Sequence, residues 1–160
     1  MIESEEEQVR LREVFTQRVN ALLADVVTWC GARGFQIEHT SRTLNEEEVG
    51  RYDVPALRIS WEGVRVGEVV PIGSRIIAAD GRVDLVGRML SHELLFVVGK
   101  GPAYKTYTIV NGKECSVMRP LLRDINGDGW YWVESTLRRA RRVDEALFMD
   151  LLTDVSDYDF

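Results

Sequence analysis

The sequence predicts an α+β fold: a mainly antiparallel meander sheet flanked by a long N-terminal helix and a C-terminal helix. Apolar residues recur at helical spacing near both ends of the chain, whereas they alternate with polar residues in the middle. Asp-Gly, Asn-Gly and Glu-Gly pairs separate the apolar runs of this middle region. Such pairs favour tight turns, and strands joined by tight turns are antiparallel neighbours. Helices that precede and follow an antiparallel sheet define the α+β class.

Composition narrows the class of protein. We expect residues 1–160 to form a single domain with a substantial core. A hydrophobic fraction of 45% and a charged fraction of 29% are typical of soluble globular proteins. The net charge of −6 disfavours general binding to nucleic-acid backbones, because that binding requires a basic surface. A protein partner or self-association is therefore the stronger expectation.

The cysteines and the N-terminal residues indicate the compartment. Cys30 and Cys115 are too few for a disulfide framework and are expected to be reduced thiols. The chain begins MIESEEEQ, which is acidic where a signal peptide would be basic. Its apolar runs are shorter than the roughly 18 residues that suggest a membrane span. The sequence thus predicts a cytoplasmic protein without a membrane-embedded segment.

The first predicted element is a helix over residues 4–31. Ser4 and Glu7 form a capping box, in which their side chains satisfy free backbone N–H groups of the first turn. An apolar stripe at three- and four-residue steps follows: Leu11, Val14, Phe15, Val19, Leu22, Leu23, Val26, Val27 and Cys30. We expect this stripe to pack on the sheet. The alternative is that part of it pairs with a partner helix or a second copy of the chain.

The sheet is predicted over residues 56–134. Before it, residues 35–55 are mostly polar and charged, so we expect a surface connection that begins with a short strand. From Ala56 onward the period changes to two, as in a strand with one buried face. The alternation slips around Gly67, which indicates a bulge or a close approach of another backbone.

Two dipeptides predict hairpins inside the sheet. Asp80-Gly81 is expected to form a type I′ turn that pairs Ile76 with Leu85, because this turn needs positive φ at both central residues. That register places Arg75 diagonally across from Asp84. Asn111-Gly112 is expected to form the turn of a second hairpin.

The last predicted element is a helix over residues 136–155, followed by an acidic tail over residues 156–160. Its apolar stripe comprises Leu137, Ala140, Val143, Leu147, Phe148, Leu151 and Leu152. The same helix would carry a basic cluster at Arg138, Arg139, Arg141 and Arg142. Carboxylates follow this cluster directly, so a solvated helix face with balanced charge is favoured over a site for phosphate or an acidic peptide.

Two charged residues that follow apolar strands suggest a metal-dependent site. Asp84 lies in RVDLVG, and Lys100 ends LLFVVGK. This arrangement resembles the core of the PD-(D/E)xK nuclease family. There an Asp and a Glu hold a divalent metal such as magnesium or manganese, and the Lys positions the attacking water. The resemblance implies metal-assisted phosphodiester hydrolysis, with Asp84 as the metal ligand and Lys100 as the positioning residue.

The chain departs from that family at one position. The family Glu falls on Val98, which cannot bind a metal. Glu68, from the adjoining predicted strand, is a candidate replacement for the missing ligand. The alternative is structural: Asp84 pairs with Arg75 or Arg82 across the predicted hairpin, and Lys100 is an ordinary lysine at a strand end.

A second motif suggests calcium. Asp124, Asn126 and Asp128 match the first half of a D-x-N-x-D-G loop, whose oxygens can converge on one hard cation. The second half does not match, since Ser135 stands where the loop needs a bidentate Glu. The alternative is a polar turn in which Asp and Asn accept local backbone hydrogen bonds. The turn is the favoured interpretation.

An aromatic strand supplies the last candidate surface. Alternation places Trp130 and Trp132 on one face of the GWYWVES segment, where they could form a ligand platform or an interface anchor. His39 and His92 lack Cys or His neighbours at metal-ligand spacing. The leading hypothesis is therefore a non-enzymatic binding or adaptor protein without a cofactor. A degenerate nuclease core and a domain stabilised by calcium through the D-x-N-x-D-G loop are the alternatives, so calcium or magnesium is the cofactor to test.

Overall fold

The computed structural model describes residues 4–160 and confirms the α+β class. Helix α1 spans Glu5–Ala32, and the Ser4 side chain caps it by accepting the backbone N–H of Glu7 at 3.2 Å. A second helix, α2, spans Glu145–Ser156. Neither of these helices carries an apolar stretch that could cross a lipid bilayer.

Seven strands form one antiparallel sheet. Its strands, in spatial order, are β1 (Gln36–Glu46), β2 (Gly50–Trp61), β3 (Val64–Gly73), β4 (Arg82–Val86), β5 (Ser91–Val97), β8 (Gly129–Glu134) and β9 (Arg139–Arg142). The other two strands, β6 (Ala103–Val110) and β7 (Lys113–Pro120), form a separate hairpin that pairs with no other strand within residues 4–160. This hairpin is inserted between β5 and β8, which are adjacent in the main sheet.

The prediction of a surface connection over 35–55 is wrong. This region forms β1 and the first half of β2, the two longest strands of the sheet, which pair from Gln36 opposite Ser60 to Glu46 opposite Gly50. The segment is polar because β1 lies at the edge of the sheet, and most of its side chains are exposed. An edge strand with few buried positions lacks the apolar alternation that identifies a strand in sequence. The predicted start of the sheet at residue 56 is therefore too late.

The predicted turn at Asp80-Gly81 is also wrong. β3 and β4 pair with Val69 opposite Leu85, and residues 74–81 form the connection between them. Asp80 and Gly81 extend along β5 instead. The Asp80 N–H donates to the Phe96 carbonyl at 2.7 Å, and the Gly81 carbonyl accepts the Phe96 N–H at 2.9 Å. Gly81 serves packing here, because a Cβ would lie 3.0 Å from the Phe15 ring of α1.

A carboxylate fixes the connection that replaces the expected turn. Glu46, at the end of β1, accepts hydrogen bonds from the backbone N–H and the hydroxyl of Ser74, each at 2.8 Å, and from the backbone N–H of Arg75 at 3.1 Å. It also accepts a hydrogen bond from the Tyr52 hydroxyl. Burial and the bond to Glu46 raise the pKa of Tyr52. Arg75 pairs with Glu48, and so it does not face Asp84 as the predicted register required.

The C-terminal helix begins later than residue 136. Arg139–Arg142 form β9, which pairs with β8 from Glu134 opposite Arg139 to Tyr131 opposite Arg142. The basic cluster therefore lies mostly on an edge strand, not on a helix. Asp144 caps α2 by accepting the backbone N–H of Leu147 at 2.8 Å. The helical spacing of Leu137, Ala140 and Val143 is coincidental, because Ala140 is buried between exposed arginines as in a strand.

Other turn predictions are confirmed. Asn111 and Gly112 have φ of 52° and 76° and join β6 to β7, as a type I′ turn requires. The register between β2 and β3 shifts opposite Gly67, as expected for a bulge. A Cβ at Gly67 would lie 2.9 Å from the Leu152 side chain of α2, which explains the glycine.

Both helices cover the same face of the sheet. The main core joins α1 residues such as Phe15 and Val26 to α2 residues such as Leu152, with Leu57 and Leu85 from the strands between them. The opposite face has only a small apolar cluster around Val97, Tyr131 and Ala140. The apolar stripe of α1 is therefore used within the chain, as the packing interpretation predicted.

Close packing of the β4–β5 turn against α2 gives a test of this fold. A Cβ at Gly87 would lie 2.1 Å from the backbone carbonyl oxygen of Val155, which cannot move without distorting α2. We expect Gly87→Ala to lower the free energy of unfolding by about 3 kcal/mol in chemical denaturation.

Gly31→Ala is the matched control. Gly31 lies in α1, and an added Cβ meets no described atom of another element within 4 Å. We expect this variant to gain up to about 1 kcal/mol, because alanine has the higher helix propensity. Equal stability of the Gly87→Ala variant and the unmodified chain would contradict the packing described for the β4–β5 turn.

Candidate functional site

Asp84 lies on the sheet face opposite the helices and is paired with arginine. Its carboxylate accepts two parallel hydrogen bonds from Arg82, at 2.8 and 2.9 Å. Arg82 also contacts Glu93 of β5 at 3.2 Å. The hydrogen bonds to Asp84 raise the pKa of Arg82, so the guanidinium remains a cation beside the two carboxylates. This is the arginine pairing that the structural alternative for Asp84 expected.

The structure places Glu68 on the same sheet face as Asp84 but leaves Lys100 away from both. Glu68 pairs with Val86 and is therefore diagonal to Asp84, but its carboxylate contacts Arg65 at 3.2 Å and Arg58 at 3.9 Å. Asp84 pairs with Glu93, and the four extended residues from there to Val97 alone span about 13 Å. Lys100 is exposed in the loop beyond Val97. These three side chains do not surround one point, as the ligands and the lysine of a nuclease site must.

The two tryptophans share a face, as expected, and that face is the one covered by the helices. Trp130 is only 8% exposed, and its indole N–H donates to the backbone carbonyl of Arg18 in α1 at 3.1 Å. Trp132 is half-buried, and its indole N–H donates to Nδ1 of His92 at 3.3 Å. His92 Nε2 lies 2.6 Å from the Asp154 carboxylate of α2. Trp130 is thus a core residue, and Trp132 joins β8 to β5 and α2.

The carboxylates of the D-x-N-x-D-G segment point to different protein groups. Asp128 accepts the backbone N–H of Gly99 at 2.7 Å, whereas Asp124 contacts the guanidinium of Arg139 at 3.3 Å. Within residues 4–160, no group of three or more His, Cys, Asp or Glu side chains is placed to hold a metal ion. Asp84, Asp124 and Asp128 are instead each bound to a donor from the chain itself.

The backbone carbonyls of this segment do converge on a cation, and that cation is Arg142. Its guanidinium donates to the carbonyl oxygens of Asn126 and Asp128 at 2.6 and 2.9 Å, and to that of Gly127 at 3.4 Å. It also donates to the Tyr131 hydroxyl at 2.8 Å and lies 4.9 Å from the centre of that ring. A delocalised planar guanidinium with five donors suits this set of acceptors.

Tyr131 completes the arrangement. Its hydroxyl donates to the carbonyl of Gly127 at 2.8 Å and accepts the backbone N–H of Asn126 at 3.1 Å. A Cβ at Gly129 would lie 2.1 Å from the Arg142 guanidinium, so a glycine is needed beside it. The segment is therefore a polar turn, as favoured, and its structure depends on an arginine that the sequence motif does not include.

This turn belongs to the base of the β6–β7 hairpin. We call residues 103–120 the arm, and residues 98–102 and 121–128 the root. Three bonds join the two sides of the root: Leu121 N–H to the Pro102 carbonyl at 2.9 Å, Gly127 N–H to the Gly99 carbonyl at 2.8 Å, and Gly99 N–H to Asp128. The arm is therefore attached to the sheet through a hydrogen-bonded base.

The arm itself is exposed on both faces. Of its sixteen strand residues, all except Thr106 are exposed. Six large apolar or aromatic side chains are between 41% and 78% exposed: Tyr104, Tyr107, Ile109, Val110, Val117 and Met118. An isolated two-stranded hairpin is marginally stable in water, and clusters of exposed apolar side chains mark interaction sites. The arm is thus the strongest candidate for a binding surface among the described residues.

No protein-family model matches this chain, and neither a curated protein nor a solved structure matches it.

Sequence reasoning identified the hairpin but not its exposure. The position of the charged residues could have indicated this exposure. Lys105 and Glu114 lie on one face of the arm, and Lys113 and Arg119 lie on the other. A hairpin with charged residues on both faces is not covered by a helix or a second sheet layer. The role of Arg142 had no comparable signal, because its acceptors are backbone carbonyls of another segment.

Two experiments test the role of Arg142 in the root. In the first, thermal melts are recorded in EDTA, in calcium and in magnesium. Since Arg142 occupies the carbonyl acceptors and both carboxylates are bound, we expect the melting temperature to be the same in all three. A rise of roughly 5 °C in calcium, lost in Asp128→Asn, would contradict this assignment.

The second experiment removes the guanidinium. We expect Arg142→Met to lower the free energy of unfolding by about 1 kcal/mol, because several charge-assisted hydrogen bonds to backbone carbonyls are lost at an exposed site. Hydrogen exchange at the amides of Gly99 and Gly127 should accelerate in the same variant.

Arg141→Met is the control for that change, since Arg141 is exposed and its side chain points to the opposite side of β9. We expect it to retain the stability and the amide protection of the unmodified chain. Equal effects of the two substitutions would show that the guanidinium of Arg142 has no special role in the root.

Proposed function

We propose that this chain is a non-enzymatic protein-binding module and that the arm is its contact element. The observation that carries the proposal is the exposure of the arm. Fifteen of its sixteen strand residues are exposed to solvent, so neither the helices nor the main sheet covers them. Apolar side chains in such a position favour burial against another molecule.

The chemistry of the arm supports a protein as the binding partner. Tyr107, Ile109 and Met118 lie on one face, and Tyr104 and Val117 lie on the other. Aromatic residues and methionine are enriched in protein interfaces, where they supply contact area without an unpaired charge. The outer edges of β6 and β7 also present unpaired backbone groups, to which an extended partner segment can add as a strand.

The root gives the arm a defined position. Arg142 and Asp128 hold both sides of the root through hydrogen bonds that do not involve the arm residues. A contact element that is fixed before binding loses less conformational entropy when it binds. By comparison, Asp84 is paired with Arg82 and Asp128 is bound to a backbone N–H, so neither supports a nuclease or a calcium site.

Photocrosslinking tests the proposed function. A benzoyl-phenylalanine is introduced at Tyr107 of the full-length chain, which is expressed in the cells that naturally produce it. Because Tyr107 is 63% exposed at the centre of the arm, we expect a discrete adduct on irradiation. The adduct mass is then read by gel and mass spectrometry.

The control places the same crosslinker at Val64, which is exposed on the body of the protein and lies outside the arm. We expect little adduct from this position. A second control replaces residues 103–120 by a two-residue turn, since the bond from Leu121 to Pro102 holds the two ends together. Absence of an adduct at Tyr107, or equal adducts at Tyr107 and Val64, would overturn the proposed function.

A further inference from the structure

The charge of the arm differs from that of the rest of the chain. The arm carries three cations, Lys105, Lys113 and Arg119, against the single carboxylate of Glu114, which gives a net charge of +2. Because the whole chain carries −6, the remaining residues carry −8. A partner for the arm is therefore an acidic surface with apolar groups, and a polyanion such as nucleic acid would be repelled by the body.

The body of the protein offers one such surface at the β4–β5 turn. Val86, Met89 and Leu90 are exposed there, by 38%, 71% and 52%. The turn is attached to the C-terminal end of α2, because the Met89 N–H donates to the Val155 carbonyl at 3.4 Å. We call the turn residues 86–90, together with the end of α2, the corner.

The corner is acidic. Asp154 and Asp157 lie at the end of α2, where Asp154 also contacts His92 of β5 at 2.6 Å, and the last turn of this helix contains no basic residue. The C-terminal end of a helix also carries the negative end of its dipole. Arg88 is the cation of the turn, so the corner as a whole combines exposed apolar side chains with net negative charge. These are the properties that complement the arm.

We infer that the arm of one copy binds the corner of a second copy of this chain. The inference rests on the proposed function of the arm and names its partner. The arm does not cover the corner of its own chain, since Met89 and Leu90 are exposed in the structure. The corner precedes β5 and the root follows it, so the seven residues of β5 separate them by about 20 Å.

Two equivalent arm–corner contacts form a closed dimer. In an antiparallel dimer with two-fold symmetry, each arm meets the corner of the other copy, so both surfaces are used. Each copy then contributes the arm residues 103–120 and the corner residues 86–90 to the interface. That number of residues is close to the roughly 20–30 per side of a stable protein interface.

Sedimentation velocity of the full chain tests this inference. We expect a species of twice the 18.3 kDa chain mass to form as concentration rises from 1 to about 100 μM. Two double variants should each raise the dimer Kd about tenfold or more. One is Tyr107→Ser with Ile109→Ser in the arm, and the other is Met89→Ser with Leu90→Ser in the corner. Val64→Ser is the control and should leave the Kd unchanged.

Mixing the variants distinguishes a specific arm–corner contact from non-specific association. The arm variant retains an intact corner and the corner variant retains an intact arm, so the mixture can form one arm–corner contact. We expect the mixture to contain more dimer than either variant alone at equal total concentration. Circular dichroism melts check that all variants fold, which is expected because the replaced side chains are exposed.

Several results would overturn the inference. They are a monomer throughout the concentration range, a dimer unaffected by both double variants, and a mixture no more dimeric than its components. The crosslinking experiment separates this failure from failure of the proposed function. An adduct of Tyr107 with a different protein would leave the arm as a binding element but exclude a second copy as its partner.

Discussion

Both helices pack on one face of the seven-stranded sheet, and this asymmetry determines how the rest of the molecule is stabilised. The covered face buries a continuous apolar core between α1, α2 and strands β2 to β5. Within residues 4–160 no helix packs on the other face, so its charged side chains pair with one another along and across strands. Arg58 lies between Glu38 and Glu68, and Arg82 lies between Asp84 and Glu93. Cross-strand pairs of opposite charge satisfy an exposed sheet face without requiring another layer.

That asymmetry also explains why the Asp84 carboxylate is paired with an arginine. A carboxylate on the uncovered face is a metal ligand only when it has no better partner, and here arginines from the same or neighbouring strands provide one. A guanidinium also binds the candidate oxygen atoms of the root. Arg142 donates to carbonyl oxygens of the segment whose sequence matches one half of a calcium-binding loop. In both places a guanidinium of the chain is the cation that binds these oxygen atoms.

The arm has no place in either layer, and its composition fits a role outside the chain. Its apolar side chains are exposed, its charge is opposite to that of the body, and its root is held by hydrogen bonds that leave the arm residues unused. A surface of this kind costs stability unless it is buried against a partner. We therefore propose binding as the role of the arm.

The sequence by itself determined the fold class, the extent of α1, the Asn111-Gly112 turn and the bulge at Gly67, because each depends on local spacing or local backbone preference. The tertiary structure decided what local pattern could not. It assigned Gly81 to a contact with Phe15, made β1 a polar edge strand, and placed Arg139–Arg142 in the sheet. It also directed Arg142 to carbonyls of residues 126–128 and left both faces of the arm uncovered. These outcomes depend on which segments meet in space, and the spacing of residues along the chain carries no record of such long-range contacts.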